Sequence, residues 1–159
     1  NIMIDAIDRK ILELLQNDAR ATNAVIGKAV GITASSVFER VKKLERKGVI
    51  KRYIAVVDPE LLGKPLAAFI RLTVESKNDR SFEATYRRIQ EAFMAEPDIV
   101  ECHSVAGAES LIIKVRVAGP KRLEELIARI RDMTGSPHSV TNVVLSTYKE
   151  ASYVEPAAE

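Results

Sequence analysis

The chain changes its hydrophobic period near residue 48, and that change divides it into two kinds of structure. Before it, apolar positions recur at helical spacing. Ile7, Ile11, Leu14 and Leu15 share one stripe behind Asp5, which is placed to cap the helix. A second, shorter helix opens at Thr22 and is expected to bury Val25, Ile26, Ala29 and Val30. Gly31 follows where a helix end turns into positive φ, a conformation that glycine adopts without steric penalty. Thr33 caps a third helix over Thr33–Lys47, with Val37, Val41 and Leu44 as its stripe, and Gly48 ends it. Three short helices, with a tight Gly31-Ile32-Thr33 turn between the last two, make a trihelical helix-turn-helix pattern.

Beyond Gly48 the pattern shifts. Val49–Val57 is β-branched and half apolar, and it stops at Asp58-Pro59, which reads as a strand or an extended connector. Leu66, Ala68, Ile70, Leu72 and Val74 then alternate with mostly polar partners, as a strand with one buried face does. Phe82, Tyr86, Ile89 and Phe93 mark an amphipathic helix that halts before Pro97. Ile99–Ala106 and Ser110–Ala118 read as two strands joined at Gly107; in the second, Leu111, Ile113, Val115 and Val117 point inward. Gly119-Pro120 opens another helix with the stripe Leu123, Leu126, Ile127 and Ile130, and Val140–Tyr148 supplies a fourth strand. The order βαββαβ is that of a ferredoxin-like plait, an antiparallel sheet with two helices on one face. The chain is therefore expected to be α+β. A winged or trihelical helix-turn-helix domain covers residues 1–50, a strand or linker 51–65, the plait 66–150 and a tail 151–159, frayed over Glu155–Glu159.

Composition narrows the function. No apolar run approaches the roughly 18–20 residues that cross a bilayer, and the charged opening Asn1–Lys10 is unlike a signal peptide. A single cysteine, Cys102, excludes an intrachain disulfide, suits a reducing compartment and fits a cytoplasmic protein. One cysteine and two histidines give no structural zinc site. The net charge of +2 is unevenly placed: residues 1–65 hold twelve Lys/Arg against eight Asp/Glu, and the remainder twelve against fourteen. A basic first part joined to a mildly acidic second part suggests a polyanion-binding module attached to something else.

The third helix localises that basic character. At about 100° per residue, Ala34, Val37, Phe38, Val41 and Leu44 fall on the core side. Ser35, Ser36, Glu39, Lys43, Arg46 and Lys47 fall opposite, with Arg40 and Lys42 flanking. Ser35, Ser36 and Glu39, near the N-terminus, fit base edges, and the long cations Arg40, Lys42, Lys43 and Arg46 reach phosphates on either side. Thr22 and Thr33, the caps of the second and third helices, complete the candidate DNA contacts. The same cations would also suit a solvated helix completing its macrodipole. The turn, the caps and the two preceding helices favour a recognition helix.

These segments resemble the N-terminal half of the leucine-responsive/asparagine-type (Lrp/AsnC) regulators. The resemblance is carried by Asp8-Arg9-Lys10-Ile11-Leu12, Val30-Gly31-Ile32-Thr33, Arg40-Val41, Leu44-Glu45 and Gly48-Val49-Ile50. It extends to about residue 150 through Glu101-Cys102-His103, Val105-Ala106-Gly107 and Lys114-Val115-Arg116-Val117, similar to that family's effector-sensing plait. The resemblance implies an effector-responsive, sequence-specific binder of double-stranded DNA, without a cofactor. It also implies a homodimer built through the plait sheets that assembles into tetramers or octamers. Small effectors, usually amino acids, would bind between protomers at the turn formed here by Val105, Ala106, Gly107, Ala108, Glu109 and Ser110. Many relatives carry aspartates where Ala108 and Ser110 stand and hold an effector's ammonium group with the latter. Here only Glu109 could supply that carboxylate.

A second departure is Val25-Ile26-Gly27, where relatives usually have Glu-Leu-Ala; a helical glycine costs roughly 0.5–1 kcal/mol relative to alanine. His103 and His138 have no ligand or triad partners at suitable spacing, and Cys102 is expected to be buried in the sheet rather than nucleophilic. Two other readings are an effector-binding oligomer without DNA affinity and an enzyme similar to the sirohaem decarboxylases. The latter's site needs converging arginines that are here gathered on the third helix instead.

Overall fold

The computed structural model of the chain describes residues 4–74, 79–151 and 153–156. The side chain of Phe82 and residues 157–159 of the expected tail lie outside that description. Two units emerge, residues 1–56 with 149–159, and residues 57–148.

The first unit holds α1 (Ala6–Asn17), α2 (Asn23–Val30) and α3 (Ala34–Arg46). Each starts on a side-chain cap: Asp5, Thr22 and Thr33 accept from the N–H groups of Asp8, Val25 and Ser36. Those acceptors satisfy helix-start donors that have no partner inside the helix. Ile11, Ile26 and Val37 form the buried centre, with Ile7, Leu14, Leu15, Val30, Ile32 and Val41 packed around it. The core is narrower than the helical stripes predict. Val25 is 63% exposed, Ala29 and Ala34 lie on the surface, and Phe38 is 47% exposed. Three short helices meet along thin seams, so only a few positions are fully enclosed, Ile11, Ile26, Val37 and Leu44 among them. Residues 51–56 form no strand: with no neighbour to pair with, the segment is an extended connector that leaves Ile54 and Val56 in solvent.

Gly27 sits in a close backbone contact where the sequence suggested only a weakness. Its carbonyl accepts from the N–H groups of both Gly31 (2.9 Å) and Ile32 (3.0 Å), closing the turn onto α2. Gly31 takes the left-handed conformation (φ 77°) that this closure needs. The turn lies so close that a Cβ on Gly27 would stand 2.6 Å from the Ile32 carbonyl oxygen. Residues 153–154 of the chain return to this unit: the Gln16 amide accepts from the Val154 N–H (2.9 Å) and donates to its carbonyl (3.0 Å).

The second unit is the predicted plait: β1 (Leu66–Leu72), α4 (Asp79–Met94), β2 (Ile99–Ser104), β3 (Leu111–Val117), α5 (Pro120–Thr134) and β4 (Ser139–Val143). The antiparallel sheet runs β2-β3-β1-β4, with Ile70 opposite Ile113 and Thr141. Ala68, Ile70 and Leu72 of β1 and Leu111, Ile113, Val115 and Val117 of β3 bury one face against Ile89, Phe93, Leu123, Leu126 and Ile130. Period-two strands and period-3.6 helices thus share one core. The fourth strand is shorter than predicted. β1 begins at Leu66, so after Val144 donates to Ala67 (2.9 Å) there is no backbone left to pair with. Leu145 and Tyr148 are consequently almost fully exposed. Cys102 also differs from expectation. It lies on the outer strand β2 and is exposed, and partial burial of its thiol pushes the pKa up, away from thiolate reactivity.

An ionic cluster on two buried carboxylates, Glu96 and Asp98, lies in the plait. Arg122 bonds Asp98 (2.6 Å) and Glu96 (3.0 Å), Arg129 reaches Glu96 (2.7 Å), and Lys64 reaches Asp98 (2.6 Å). Burial alone would raise the Asp98 carboxyl, but Lys64 and Arg122 outweigh it and hold it below the usual range. Its folded pKa lies below its unfolded one, so its stabilisation is present above about pH 4 and fades as pH falls through the folded value.

Two outcomes are expected. Gly27→Val should destabilise the helical unit by about 1–3 kcal/mol, seen as lost helical circular dichroism at lower denaturant, whereas Lys28→Ala on the exposed side should change little. Thermal unfolding followed between about pH 5 and pH 2 should lose stability more steeply in the wild type than in Asp98→Asn; parallel curves would remove Asp98 from the account.

Candidate nucleic-acid interface and effector crevice

α3 is held by Val37 and Leu44, both buried, and its opposite face is open. Ser35, Ser36, Glu39, Lys43 and Arg46 are exposed, and with Asp5 and Arg40 they line a shallow concavity of about 540 Å³. Lys47 caps the helix C-terminus and is exposed beside it. At the other end, the Thr33 hydroxyl meets those of Ser35 (3.0 Å) and Ser36 (2.9 Å) while it accepts from the Ser36 N–H. Three hydroxyls are therefore gathered over the first turn of α3, where each can rotate to donate or accept. Thr22 is exposed at the start of α2.

The cations divide into two groups. Among the described residues, Lys43, Arg46 and Lys47 have no ion-pair partner, so their charge is available to an external anion. Lys42 pairs with Glu45 (3.1 Å) and lies 5.8 Å from the centre of the Phe38 ring. Glu45 is held low first by Lys42 and then by the hydroxyl of Tyr53, which donates to it at 3.1 Å. Arg40 is set apart: its Nη1 bonds Asp5 (2.6 Å) and Asp8 (2.7 Å), the first turn of α1. Those two acids raise the Arg40 pKa, and Arg40 in turn lowers that of Asp5.

In the plait, residues 105–110 form the turn between β2 and β3. Ser110 fastens it to β1: its N–H donates to Leu72 O (3.1 Å) and its hydroxyl accepts from the Val74 N–H (2.8 Å). Val105 N–H donates to Ser110 O, and the Thr73 hydroxyl donates to Ala108 O. Between Ala108 and Ser110, Glu109 pairs with Arg71 at 3.2 Å. Arg71, Thr73 and Glu109 face Ser136, His138 and Ser139 across a crevice of about 200 Å³. Gly107 (φ 159°) makes the bend, and Ala106 is exposed beside it.

Arg71 and the Ser136–Ser139 loop were not singled out from sequence. The available signal was parity: Arg71 alternates with the inward residues of β1, and pairing with β3 carries it toward the turn. His103 lies 3.4 Å from Glu101 and does not line that crevice. Among the described residues no group of His, Cys, Asp and Glu has the arrangement of a metal site, and no helix is long and apolar enough to cross a membrane.

Comparison with known proteins assigns both parts. Residues 4–51 match the model for winged helix-turn-helix DNA-binding domains, and residues 67–154 match the Lrp/AsnC ligand binding domain. The chain is 32% identical to the HTH-type transcriptional regulator FL11 of Pyrococcus horikoshii, over 95% of each. It is 34% identical to the leucine-responsive regulatory protein of Haemophilus influenzae, over 97% of this chain and 91% of that one. Its fold is similar to that of a feast or famine regulatory protein from M. tuberculosis complexed with L-methionine. That comparison has a TM-score of 0.84 and 31% identity, covering 97% of this chain and 100% of the other. Both relatives are named as regulators, which decides against the decarboxylase-like alternative. A helix-turn-helix unit followed by this plait, matched along nearly its whole length, places the chain in the Lrp/AsnC family of DNA-binding transcriptional regulators.

Proposed function

We propose that this regulator reads double-stranded DNA through the open face of α3 and that an amino acid in the plait crevice modulates its assembly and DNA affinity. The observation that carries the first part is the separation of roles along α3. Three hydroxyls cluster at its N-terminus, three unpaired cations lie toward its C-terminus, and buried Val37 and Leu44 hold the back. Ser35, Ser36 and Glu39 approach base edges; Lys42, Lys43, Arg46 and Lys47 meet phosphates; Thr22 and Thr33 add contacts at the helix starts.

The crevice supports the second part through its charges. Arg71 and Glu109 offer a guanidinium for an α-carboxylate and a carboxylate for an ammonium group, with the hydroxyls of Thr73 and Ser139 beside them. The L-methionine complex of the M. tuberculosis relative supports the same ligand class. Assembly as a homodimer, and from dimers into tetramers or octamers, is favoured by the apolar surface the single chain leaves open. Phe69 and Val140 lie on the uncovered sheet face, and Leu61, Leu62, Leu145 and Tyr148 project from connecting segments. A two-fold dimer would set two recognition helices about one DNA turn, roughly 34 Å, apart.

Charge reversal tests the interface. Lys43→Glu with Arg46→Glu should abolish binding of a duplex from the regulator's own promoter region, while circular dichroism and assembly stay unchanged. The wild type should show affinity that falls steeply with salt; a wild type without salt-sensitive, competitor-resistant binding would overturn the DNA-binding reading. Thermal shift against the twenty amino acids tests the crevice. One or a few should raise the midpoint, by roughly 5–10 °C at a hundredfold excess over Kd, and Glu109→Gln should remove that rise. A shift that survives Glu109→Gln would place the ligand elsewhere.

A further inference from the structure

Asp8 is the one charged residue buried in the helical unit among those described, at 4% exposure. A carboxylate removed from water in this way needs a fixed counter-charge, because an unpaired buried ion is strongly unfavourable. The counter-charge is Arg40 Nη1, 2.7 Å away, and the same nitrogen reaches Asp5 at 2.6 Å. The other oxygen of Asp5 accepts from the Asp8 N–H (2.8 Å), which is the cap of α1. The cap, the first turn of α1 and the middle of α3 are therefore one bonded assembly.

Electrostatics alone would not place it there. Asp5 lines the same concavity as Ser35, Ser36, Lys43 and Arg46, so a carboxylate stands on the face that would meet a polyanion. It also offsets the charge of Arg40, a residue whose helical position would otherwise suit a phosphate. For a surface built only to attract DNA, that pairing is counterproductive. For a surface that has to hold a helix at a defined angle, it is useful: two acids on one helix grip a single guanidinium on the other, and Arg geometry is stiff enough to transmit that grip.

Building on the DNA-binding reading above, we infer that Arg40 is a positioning residue. With Asp5 and Asp8 it fixes the orientation in which α3 presents Ser35, Ser36 and Glu39 to base edges, and it makes no phosphate contact of its own. The two roles have opposite signatures. A phosphate contact contributes to every sequence alike and adds about 0.9 to the slope of log affinity against log salt. A positioning residue leaves that slope alone and changes the ratio between specific and non-specific affinity. Removing Asp5 or Asp8 separates them further. Either loss makes the unit more positive, which by itself strengthens DNA binding, yet it should weaken discrimination.

The test uses the full chain, a duplex that the wild type selects from a random pool, and a scrambled duplex of the same composition, titrated at several salt concentrations. Arg40→Gln should lose at least tenfold in affinity for the selected duplex, little for the scrambled one, and keep the wild-type salt slope. Asp5→Asn should bind the scrambled duplex as tightly as the wild type or tighter while its preference for the selected duplex falls. Equal loss on both duplexes for Arg40→Gln, with the slope reduced by about 1, would overturn the inference and return Arg40 to the phosphate contacts. Undiminished preference in both variants would overturn it as well. If Arg40→Gln fails to fold, Asp5→Asn, at an exposed position, and Arg40→Lys decide the matter. Arg40→Lys keeps the charge on a shorter, more flexible stem, so a phosphate contact survives it whereas the two acids are held less rigidly, and discrimination drops only if positioning is the role. A wild type that selects no duplex at all refutes the DNA-binding reading itself, an outcome distinct from variants that bind without discriminating.

Discussion

A three-helix unit of this size has too little interior to fix its own geometry by packing. Ile11, Ile26 and Val37 are enclosed, and most neighbouring apolar side chains reach solvent on one side. Dispersion and apolar burial are weakly directional, so a seam this thin tolerates small rotations of one helix about another. Orientation then depends on contacts that do have direction. The Gly27 carbonyl binds two successive N–H groups of the turn, and the absence of a Cβ lets the Ile32 carbonyl settle against α2. Arg40 ties α3 to the start of α1 by a separate route. Backbone closure thus fixes α3 at its beginning and an ion pair at its middle, while the apolar seam supplies the stability that makes both possible.

The plait solves the opposite problem. Its sheet and helices bury a broad, continuous core with strict alternation along β3, and strand register leaves little freedom. Directional polar groups are confined to its margins. Glu96, Asp98, Arg122 and Arg129 form one cluster, and Lys64 reaches Asp98 within it. The turn at 105–110 is fastened by hydrogen bonds of Ser110 and Thr73, which leaves the crevice side chains on a rigid base. In both units, the side chains assigned to the proposed contacts are carried by elements whose own geometry is settled elsewhere.

How far the sequence reveals this depends on the range of the interaction. Caps were legible because they act within three residues: Asp5, Thr22 and Thr33 are where their patterns place them. Strand faces were legible because parity is local, and the order βαββαβ then restricts the topology to few alternatives. The helix faces were only partly so. Helical angle correctly puts Val37 and Leu44 inside, but whether Phe38, Ala34 or Val25 is covered depends on how wide the neighbouring helix is, which no local pattern records. Strand ends failed for a related reason: β4 stops where β1 supplies no further partner. The ion pair from Arg40 to Asp8 spans more than thirty positions, and Arg71 meets Glu109 only once β1 and β3 are in register. Gly27 shows the limit most clearly, since propensity reads it as a loss while the turn lies too close for a Cβ without a shift of the Ile32 carbonyl.

The return of the chain end to α1 has a topological consequence. Gln16 grips both backbone groups of Val154, so the helical unit is joined to the plait by two strands of the same polypeptide, one entering through residues 57–65 and one leaving after β4. That return is made by the two hydrogen bonds of one side-chain amide rather than by a covalent link. The helical unit thus contains two stretches of chain far apart in sequence, and a single glutamine side chain joins them.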